Sequence, residues 1–462
     1  MRPVEVAERI AGEVEGRVVT EPDADYQDAR RVWNGMIDRR PVAIVQAATI
    51  DDVPPVIRIA VESGLRLAVR GGGHNVAGNG SVDGGIVLDL GALKAVKVDA
   101  AAGTVRVEPG ATLGDMDRAT EPHALAVPSG VISGTGVAGL TLGGGVGWLT
   151  RAYGLTADNL LAADVVTARG ERLHASDSQN ADLFWGLRGG GGNFGVVTSF
   201  TFRAYPLGPS VFGANLFYGR PAWPKALRAF AEWTRGLPDE MTSIVTFMVP
   251  PPDWELGDEV LMIIGAAWSG PDDAEPEALI ARLREAAPPD GEVVEPTTWR
   301  AWQSAADGLF PRGVRAYWKN ASFDRLDDPI IDALVEHAGR LTKRCAAADI
   351  HHMEGAFGRV PEGGTPFPNR SARYWLNIYG YWGDAAEDPE RIAWVRGFHT
   401  ALQPHAMAGH YVNFLGDEGP GADRRALALE AYGAERLQRL VELKRRYDPQ
   451  NLFRLNHNID PS

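Results

Sequence analysis

Cysteine and long apolar runs are almost absent from this sequence. Cys345 is the single cysteine among 462 residues, and one thiol cannot close a disulfide bond within the chain. The longest nearly apolar run, 260–268, is far shorter than the roughly 20 residues that span a bilayer. The segment 1–16 carries acidic residues early and lacks the apolar stretch of a signal peptide. We therefore expect a cytoplasmic protein with no membrane partner.

Positive charge is scarce as well. The formal net charge is −14, and the acidic residues are spread along the chain rather than gathered in blocks. A nucleic-acid-binding protein would show a basic stripe, and docking on anionic lipid would require clustered lysine and arginine. The composition therefore predicts a well-solvated acidic surface and no nucleic-acid partner. It indicates nothing about the oligomeric state.

Motifs for metal binding and for serine hydrolysis are missing too. No HExxH or CxxC motif occurs, and the adjacent His351 and His352 would point to opposite faces of a strand. Three further histidines lack the i, i+4 spacing of ligands on a helix: His399, His405 and His410. Ser129 lacks the upstream glycine of the G-x-S-x-G motif. The sequence predicts neither a metal site nor a serine hydrolase.

The length of the chain favours two domains, because a single core rarely extends beyond about 250–300 residues. Glycine and short β-branched runs dominate as far as Pro206, with a strand–helix–strand pattern over 43–70 and a hairpin pattern over 98–110. Amphipathic helices that begin near prolines follow, at 224–235, 276–286, 329–342 and 389–402. Strands are predicted at 163–168, 196–204, 243–249, 259–268, 351–359 and 373–382. The mixture predicts an α+β fold with helices on one face of an antiparallel sheet and a boundary near residue 207.

Alternation along the predicted strand 373–382 separates two kinds of side chain. One face carries Trp375, Asn377, Tyr379 and Tyr381, and the other carries Leu376, Ile378 and Trp382. The second face suits packing under helices. The first suits the wall of a ligand pocket, or alternatively a sheet face that another domain covers.

Glycine-rich segments occur at 70–75, 128–154 and 188–200. Glycines let backbone N–H groups approach a pyrophosphate closely, and successive N–H groups form an anion-binding nest. Tight turns would explain one such loop, whereas three favour an extended ligand that lies along backbone. Residues 134–139 match the G-x-G-x-x-G motif, but Pro128 and the glycines at 143–147 argue against the strand and helix of a Rossmann site. A lone histidine such as His74 is more often structural than catalytic.

Together these segments resemble the berberine-bridge-enzyme-like branch of the FAD-linked oxidases, which share the vanillyl-alcohol-oxidase/PCMH-type FAD-binding fold. The matching pieces are PVAIVQAATIDDV, RLAVRGGGHNVAGNGSVDGGIVLDL, GLTLGGGVGWLTRAYGLTADNLLAADVVTARGE, DLFWGLRGGGGNFGVVTSF and YDPQNLFRLNHNI. They lie in the N-terminal two hundred or so residues and near the C-terminus, and the middle matches only in layout. The resemblance implies a two-domain α+β protein. Residues 1–206 and 416–462 would form the FAD-binding domain, and residues 207–415 the substrate-binding domain.

The resemblance also implies that FAD is bonded covalently to His74 through its 8α-methyl group. Further cofactor-binding residues carried over from the family are Arg70, Gly71, Gly72, Gly73, Asn75, Gly136, Gly139, Thr141, Gly143, Gly144, Gly147, Tyr153, Gly154, Asp158, Val196, Asn413, Tyr447 and Asn456. Some relatives hold the flavin at a second point, through a cysteine in the loop before the second glycine run. Residues 129–139 contain no cysteine here, and Cys345 lies in the other predicted domain. We therefore expect one histidyl link and no cysteinyl link.

For the chemistry, Tyr411 matches a segment that supplies a catalytic tyrosine in relatives, and Glu354 is a second candidate acid or base. Alcohol oxidation by flavin requires hydride to leave carbon for N5 while a base takes the hydroxyl proton. The alternatives are a tyrosine that only packs beside the flavin and a structural or surface carboxylate. Trp375, Asn377, Tyr379 and Tyr381 are the candidate substrate-binding residues.

The favoured function is an FAD-dependent oxidase that turns C–OH or C–N into C=O or C=N and passes electrons to O₂. The alternatives are a flavin dehydrogenase with another electron acceptor and a flavin-fold binding protein without catalysis. The substrate would be a small molecule. Carbohydrates, alkaloid-like amines and polyketide or peptide natural products are all compatible.

Overall fold

The short β-branched runs near the N-terminus form a small sheet. The structure is a computed structural model that describes residues 2–208, 210–271, 274–341, 346–419 and 421–462. The first sheet has the order β1-β2-β4-β3, in which β2, β4 and β3 run parallel and β1 is antiparallel to β2. Its strands are β1 Arg17–Val19, β2 Ala43–Gln46, β3 Leu67–Arg70 and β4 Ile86–Asp89. The predicted strand–helix–strand pattern is confirmed, because a helix at Val53–Ser63 joins β2 to β3.

The predicted hairpin begins a second, antiparallel sheet with the order β5-β6-β10-β8-β9. Its strands are β5 Val96–Asp99, β6 Thr104–Val107, β8 Leu160–Val166, β9 Arg172–Ser176 and β10 Val196–Arg203. Two short strands, β7 Leu125–Ala126 and β11 Tyr205–Pro206, pair beside it. The first glycine-rich segment connects β3 to β4, the second lies between β7 and β8, and the third leads into β10.

A third sheet contains only strands from beyond residue 207 and is antiparallel throughout. Its order is β15-β12-β14-β13-β17-β18-β16. The strands are β12 Ser210–Tyr218, β13 Met241–Met248, β14 Leu261–Trp268, β15 Gly291–Thr298, β16 Arg315–Phe323, β17 Ala346–His352 and β18 Tyr374–Trp382. The strands of the third sheet thus begin just after residue 207, where the domain boundary was predicted. The division into two domains stays our interpretation.

Helices cover one face of the third sheet, as predicted. The described helices are α1 Pro3–Ala11, α2 Tyr26–Ala29, α3 Val53–Ser63, α4 Leu113–Thr120, α5 Val137–Gly143, α6 Thr150–Tyr153, α7 Ala181–Leu187, α8 Trp223–Trp233, α9 Ala274–Ala286, α10 Trp299–Gln303, α11 Asp328–Ala338, α12 Ala356–Arg359, α13 Asp388–Leu402, α14 Arg424–Tyr432 and α15 Ala434–Tyr447. Helix α8 buries Trp223, Leu227 and Phe230 at helical spacing. These residues join α9, α11, α13 and the inner face of the sheet in one hydrophobic core. The opposite face of the sheet is left for a cavity.

Three sequence predictions are wrong in detail. The predicted strand 351–359 ends at His352, because Glu354 and Gly355 adopt positive φ angles of 68° and 57° and α12 follows. A helix, α5, does form directly after Gly136, although it ends at Gly143 after seven residues. The helix predicted at 329–342 ends at Ala338, and Thr342 lies outside the described residues. Within the described part of the chain, no helix has the length and apolar character needed to cross a membrane.

Candidate active site

A cavity of about 640 Å³ lies between the glycine-rich segments and the third sheet. Its volume falls within the range of roughly 300–1,000 Å³ that is usual for small-molecule sites. Sixteen of the predicted site residues line it: Arg70, Gly71, Gly72, Gly73, His74, Asn75, Gly136, Gly139, Val196, Trp375, Asn377, Tyr379, Tyr381, Tyr411, Asn413 and Asn456. All three glycine-rich segments contribute, the third through Gly191 and Gly192. One cavity therefore joins an extended glycine-lined half to an aromatic and polar half.

The first two glycine segments touch each other through backbone. A Cβ atom on Gly72 would lie 2.7 Å from the backbone of Gly136, and one on Gly136 would lie 2.6 Å from the nitrogen of Gly72. Gly73 has a φ of 66°, which side-chain-bearing residues rarely adopt. Only glycine permits the two backbones to come so close, and the edge of the cavity here is therefore formed by backbone atoms. Such an edge suits a long anionic ligand.

His74 lies beside these glycines and stacks on Trp33, with ring centroids 4.7 Å apart and planes 20° from parallel. Burial, together with the nearby Arg312 guanidinium, lowers the pKa of His74 to about 4. The imidazole is therefore neutral at physiological pH and keeps an unprotonated ring nitrogen. Arg312 also donates to the carbonyl oxygen of Gly72 at 3.3 Å.

Arg70 lines the cavity, but its guanidinium is engaged elsewhere. Its Nη2 atom donates to Asp89 and to the carbonyl oxygen of Ala29, both at 2.7 Å. Its aliphatic stem would meet a Cβ on Gly73 at 3.4 Å and one on Gly80 at 3.3 Å. Arg70 thus joins β3 to β4 and supports the first glycine loop.

Tyr411 is buried at the junction of the two halves of the cavity. Its hydroxyl oxygen accepts N–H groups from Gly145 and from Asn413 Nδ2, each at 3.0 Å. Burial raises the pKa of Tyr411 to about 12, although the N–H groups of Asn413, Gly145 and Val146 oppose that rise. Asn320 on β16 fixes the backbone of Tyr411 on both sides, accepting from its N–H at 3.0 Å and donating to its carbonyl at 3.1 Å.

Asn413 connects Tyr411 to the second glycine segment. Its Nδ2 atom also donates to the carbonyl oxygens of Gly139 and Leu140, at 3.3 and 3.2 Å. A Cβ atom on Gly143 would lie 2.3 Å from the Asn413 side chain. Gly143 is therefore needed for the asparagine to reach Tyr411.

The predicted alternation of β18 is confirmed. Trp375, Asn377, Tyr379 and Tyr381 line the cavity, whereas Leu376, Ile378 and Trp382 belong to the helix-covered core. On the neighbouring strand β17, Asp349 accepts hydrogen bonds from Asn377 at 2.8 Å and from the Tyr379 hydroxyl at 3.0 Å.

Comparisons with known proteins bear on this arrangement. A family model described as an FAD binding domain matches residues 41–176, and a model described as berberine and berberine like matches residues 410–460. The (R)-6-hydroxynicotine oxidase of Paenarthrobacter nicotinovorans is 30% identical over 462 residues, which cover 97% of each chain. The chain belongs to the berberine-like family of FAD-linked oxidases.

Solved structures agree on the fold of this FAD-linked oxidoreductase. The crystal structure of 6-hydroxy-D-nicotine oxidase from Arthrobacter nicotinovorans superposes with a TM-score of 0.84 at 27% identity, covering 97% of this chain and 98% of that one. Glucooligosaccharide oxidase from Acremonium strictum superposes with a TM-score of 0.87 at 21% identity, covering 99% of both chains. The glycine-lined half of the cavity suits the long dinucleotide FAD, because its glycines carry no side chains and leave backbone groups along the cavity edge.

Several residues carried over to the FAD site do not line the cavity of this oxidoreductase: Thr141, Gly143, Gly144, Gly147, Tyr153, Gly154, Asp158 and Tyr447. Tyr153 stacks on Tyr205 with centroids 3.9 Å apart, and the Tyr447 hydroxyl bonds Asp182 at 2.9 Å. Asp158 forms a buried two-point ion pair with Arg370, both bonds being 2.8 Å. These three side chains are therefore engaged in contacts away from the cavity lining.

Glu354 also lies outside the cavity lining. Its carboxylate bonds His352 Nε2 at 2.8 Å and Arg373 Nε at 2.9 Å. Burial opposes ionisation, but these two partners lower the pKa of Glu354. This geometry supports a structural role for Glu354 rather than a role as acid or base. Cys345 lies outside the described residues.

Sequence reasoning missed Asp349, Asn320, Trp318, Phe310 and Trp33. Asp349 was missed because the run Ala346–Ala348 lacks the β-branched residues that signal a strand. The predicted strand therefore started at residue 351, whereas β17 starts at Ala346. The spacing of Asp349 and His351, two residues apart, was the available signal, since alternate residues share a strand face. Strand β16 carries Trp318 and Asn320 and was not predicted at all.

Proposed function

We propose that this enzyme is an oxidase with FAD bonded covalently to His74 alone. The neutral imidazole in the glycine-lined half supports the link, because an unprotonated nitrogen is what such a bond requires. The solved glucooligosaccharide oxidase is described as carrying a 6-S-cysteinyl, 8α-N1-histidyl FAD. Residues 129–139 of this chain contain no cysteine, which supports a single link.

The observation that carries the proposal is the meeting of His74, Tyr411 and the aromatic sheet face in one cavity. The substrate would be an alcohol or amine whose C–H and O–H or N–H bonds are both broken as C=O or C=N forms. When bound, FAD supplies a hydride acceptor at N5 and passes two electrons on to O₂.

Tyr411 would take the proton in this reaction. With a pKa of about 12, its hydroxyl is ionised to only about one part in 10⁵ at pH 7. A neutral hydroxyl cannot accept a further proton, so the base is the small phenolate fraction, which forms when Tyr411 releases its own proton to solvent. The phenolate oxygen takes the substrate proton as the C–H bond breaks and becomes the neutral hydroxyl again. The N–H groups of Gly145 and Asn413 would stabilise the charge on that oxygen during the transfer.

The test uses the purified holoprotein in two half-reactions. It is mixed without oxygen with a panel of small alcohols, amines and oligosaccharides, and flavin absorbance is recorded. Oxygenated buffer is then added and hydrogen peroxide is measured. The proposal predicts that at least one substrate bleaches the flavin and that O₂ restores it with one peroxide per substrate.

A bleached flavin that O₂ leaves reduced, but that a dye acceptor reoxidises, would replace the oxidase with a dehydrogenase. Failure of every alcohol and amine to bleach the flavin would contradict the substrate class.

A further inference from the structure

Asp349 carries the only carboxylate among the described residues that line the cavity. It lies on β17, and its side chain is 12% exposed. An ionised carboxylate in a largely enclosed site is costly unless hydrogen bonds and an opposite charge compensate it. The nature of its partners therefore indicates what the cavity is built to receive.

The hydrogen-bond donors to Asp349 are neutral. Asn377 Nδ2 donates to Oδ1 at 2.8 Å, and the Tyr379 hydroxyl donates to Oδ2 at 3.0 Å. Burial and the adjacent Asp349 charge raise the pKa of Tyr379 well above its usual range, so this hydroxyl remains a donor. These two bonds orient the carboxylate without supplying a positive charge.

Among the described residues, His351 is the one basic side chain that lies within ion-pair distance of Asp349. His351 Nε2 lies 3.4 Å from Oδ2 and makes no hydrogen bond there. Arg70, also at the cavity, is already paired with Asp89. No lysine or arginine among the described residues forms an ion pair with Asp349.

Aromatic rings line the cavity together with the Asp349 carboxylate. We call Phe310, Trp318, Tyr379, Tyr381 and Phe414 the aromatic cluster. Phe310 lies 5.4 and 5.3 Å from the rings of Tyr379 and Tyr381, and Trp318 meets Tyr379 edge-on at 5.0 Å. Ring faces attract cations, and they do so more strongly where water is excluded.

We propose that the substrate is an organic amine bound as a cation, with Asp349 as its counter-ion and the aromatic cluster around it. This inference rests on the proposed function and narrows its substrate class. A neutral polyol would leave the carboxylate without an opposite charge. Trp254, Leu256 and Val293 are exposed apolar residues that also line the cavity, so they would receive an apolar extension of the amine.

The test measures binding rather than turnover, so it stands apart from the oxidase proposal. Calorimetry compares phenyltrimethylammonium, a permanent cation, with tert-butylbenzene, its neutral isostere, at about pH 8. We expect the holoprotein to bind the cation about 10- to 100-fold more tightly, because cation–π contacts and the opposite charge of Asp349 both favour it where water is excluded.

Asp349→Asn keeps the size and hydrogen-bonding capacity of the side chain but removes its charge. This variant should lose most of the preference for the cation while its flavin content and Tm stay near those of the unchanged protein. Asp332→Asn, an exposed position on α11, is the matched control and should retain the full preference.

Equal binding of the two probes, or binding of neither, would overturn the proposal. Retention of the preference in Asp349→Asn would also overturn it, because the aromatic cluster alone would then select the cation. If the protein prefers the cation but no substrate reduces its flavin, the result would support this inference and contradict the proposed oxidase activity.

Discussion

Tyr411 depends on residues that are far from it in the sequence. Gly145 and Asn413 hold its hydroxyl, and Asn320 holds its backbone. Tyr411→Phe keeps the ring and its packing but removes the proton acceptor. We expect flavin reduction by substrate to slow by roughly 10²–10⁴, the usual contribution of general acid–base catalysis. Rapid mixing without oxygen measures this rate directly.

Reoxidation of the reduced flavin by O₂ should be nearly unchanged in Tyr411→Phe, because that half-reaction does not use the substrate proton. Tyr374→Phe is a matched control, since Tyr374 belongs to the helix-covered core on β18 and bonds Thr234 there. The control should reduce its flavin at the normal rate. A Tyr411→Phe enzyme that does the same would remove the proton-accepting role from Tyr411.

At this scale the sequence could predict residues that form short motifs. His74 and its glycines were found because they are adjacent in the chain, and Tyr411 was found through the family resemblance. Asn320 and Asp349 could not be found in this way, because their importance comes from strand pairing across the third sheet. Glu354 had a suitable residue type in a matching segment, but the turn at Glu354–Gly355 directs it to His352 and Arg373.

At the scale of elements, helices α4 and α10 meet through a buried carboxylate. Asp117 is 1% exposed and accepts a bond from Trp299 Nε1 at 3.3 Å. Burial raises its pKa from 3.8 to about 7. The pKa of Asp117 is higher in the folded protein than in the unfolded chain. Its contribution to the stability of the fold is therefore fully present below about pH 4, where the carboxyl is protonated in both states. It is lost as the pH rises through 7.

Asp117→Asn should therefore stabilise the protein, and the gain should grow between pH 5 and pH 8. A pKa shift of this size corresponds to a free energy of about 4 kcal/mol at the upper end of this pH range. Thermal unfolding at the two pH values measures it. Asp115→Asn on the same helix should instead lower the Tm at both, because Asp115 accepts the Thr112 N–H in a capping box. An equal effect of Asp117→Asn at both pH values would contradict the raised pKa.

Strand prediction succeeded where side chains alternate and failed where they do not. Strand β18 alternates aromatic or polar with aliphatic residues, so both its position and its two faces could be predicted. Strand β17 begins with three alanines, which have weak strand preference, and its start was missed. Helix α5 was missed because glycine-rich sequence disfavours helices, whereas tertiary contacts stabilise this short one.

At the scale of the whole molecule, the C-terminal segment returns to the glycine-lined half of the cavity. Lys444 on α15 is fully buried and donates to Asp448 at 2.6 Å, to the Asn193 carbonyl at 2.9 Å and to the Phe453 carbonyl at 2.8 Å. The third glycine segment and the chain end are thus held by one ammonium group. Only the position of this segment, not the lysine, was predicted from the sequence.

Lys444→Met leaves Asp448 buried without its opposite charge. We expect it to destabilise the protein by about 3–5 kcal/mol, the range seen when one partner of a buried pair is removed. Adding Asp448→Asn should recover part of that loss. Thermal unfolding of the single and double variants measures the coupling, and strictly additive effects would show that the pair does not interact.

The sequence predicted a glycine- and strand-rich first part and an antiparallel sheet beyond residue 207, but it did not predict the cavity between them. Glycine loops, strand faces and the Tyr411 segment come from regions up to several hundred residues apart. The sequence alone gives no distance between them. The cytoplasmic location and the two-domain division stay predictions.

The covalent bond between FAD and His74 is the central claim, and one measurement tests it most directly. The purified protein is precipitated with acid and digested, and the yellow peptides are identified by mass spectrometry. We predict that the flavin stays with the precipitate and that its mass is found on the peptide containing His74. Flavin released entirely into the supernatant, or attached to any other residue, would contradict the account.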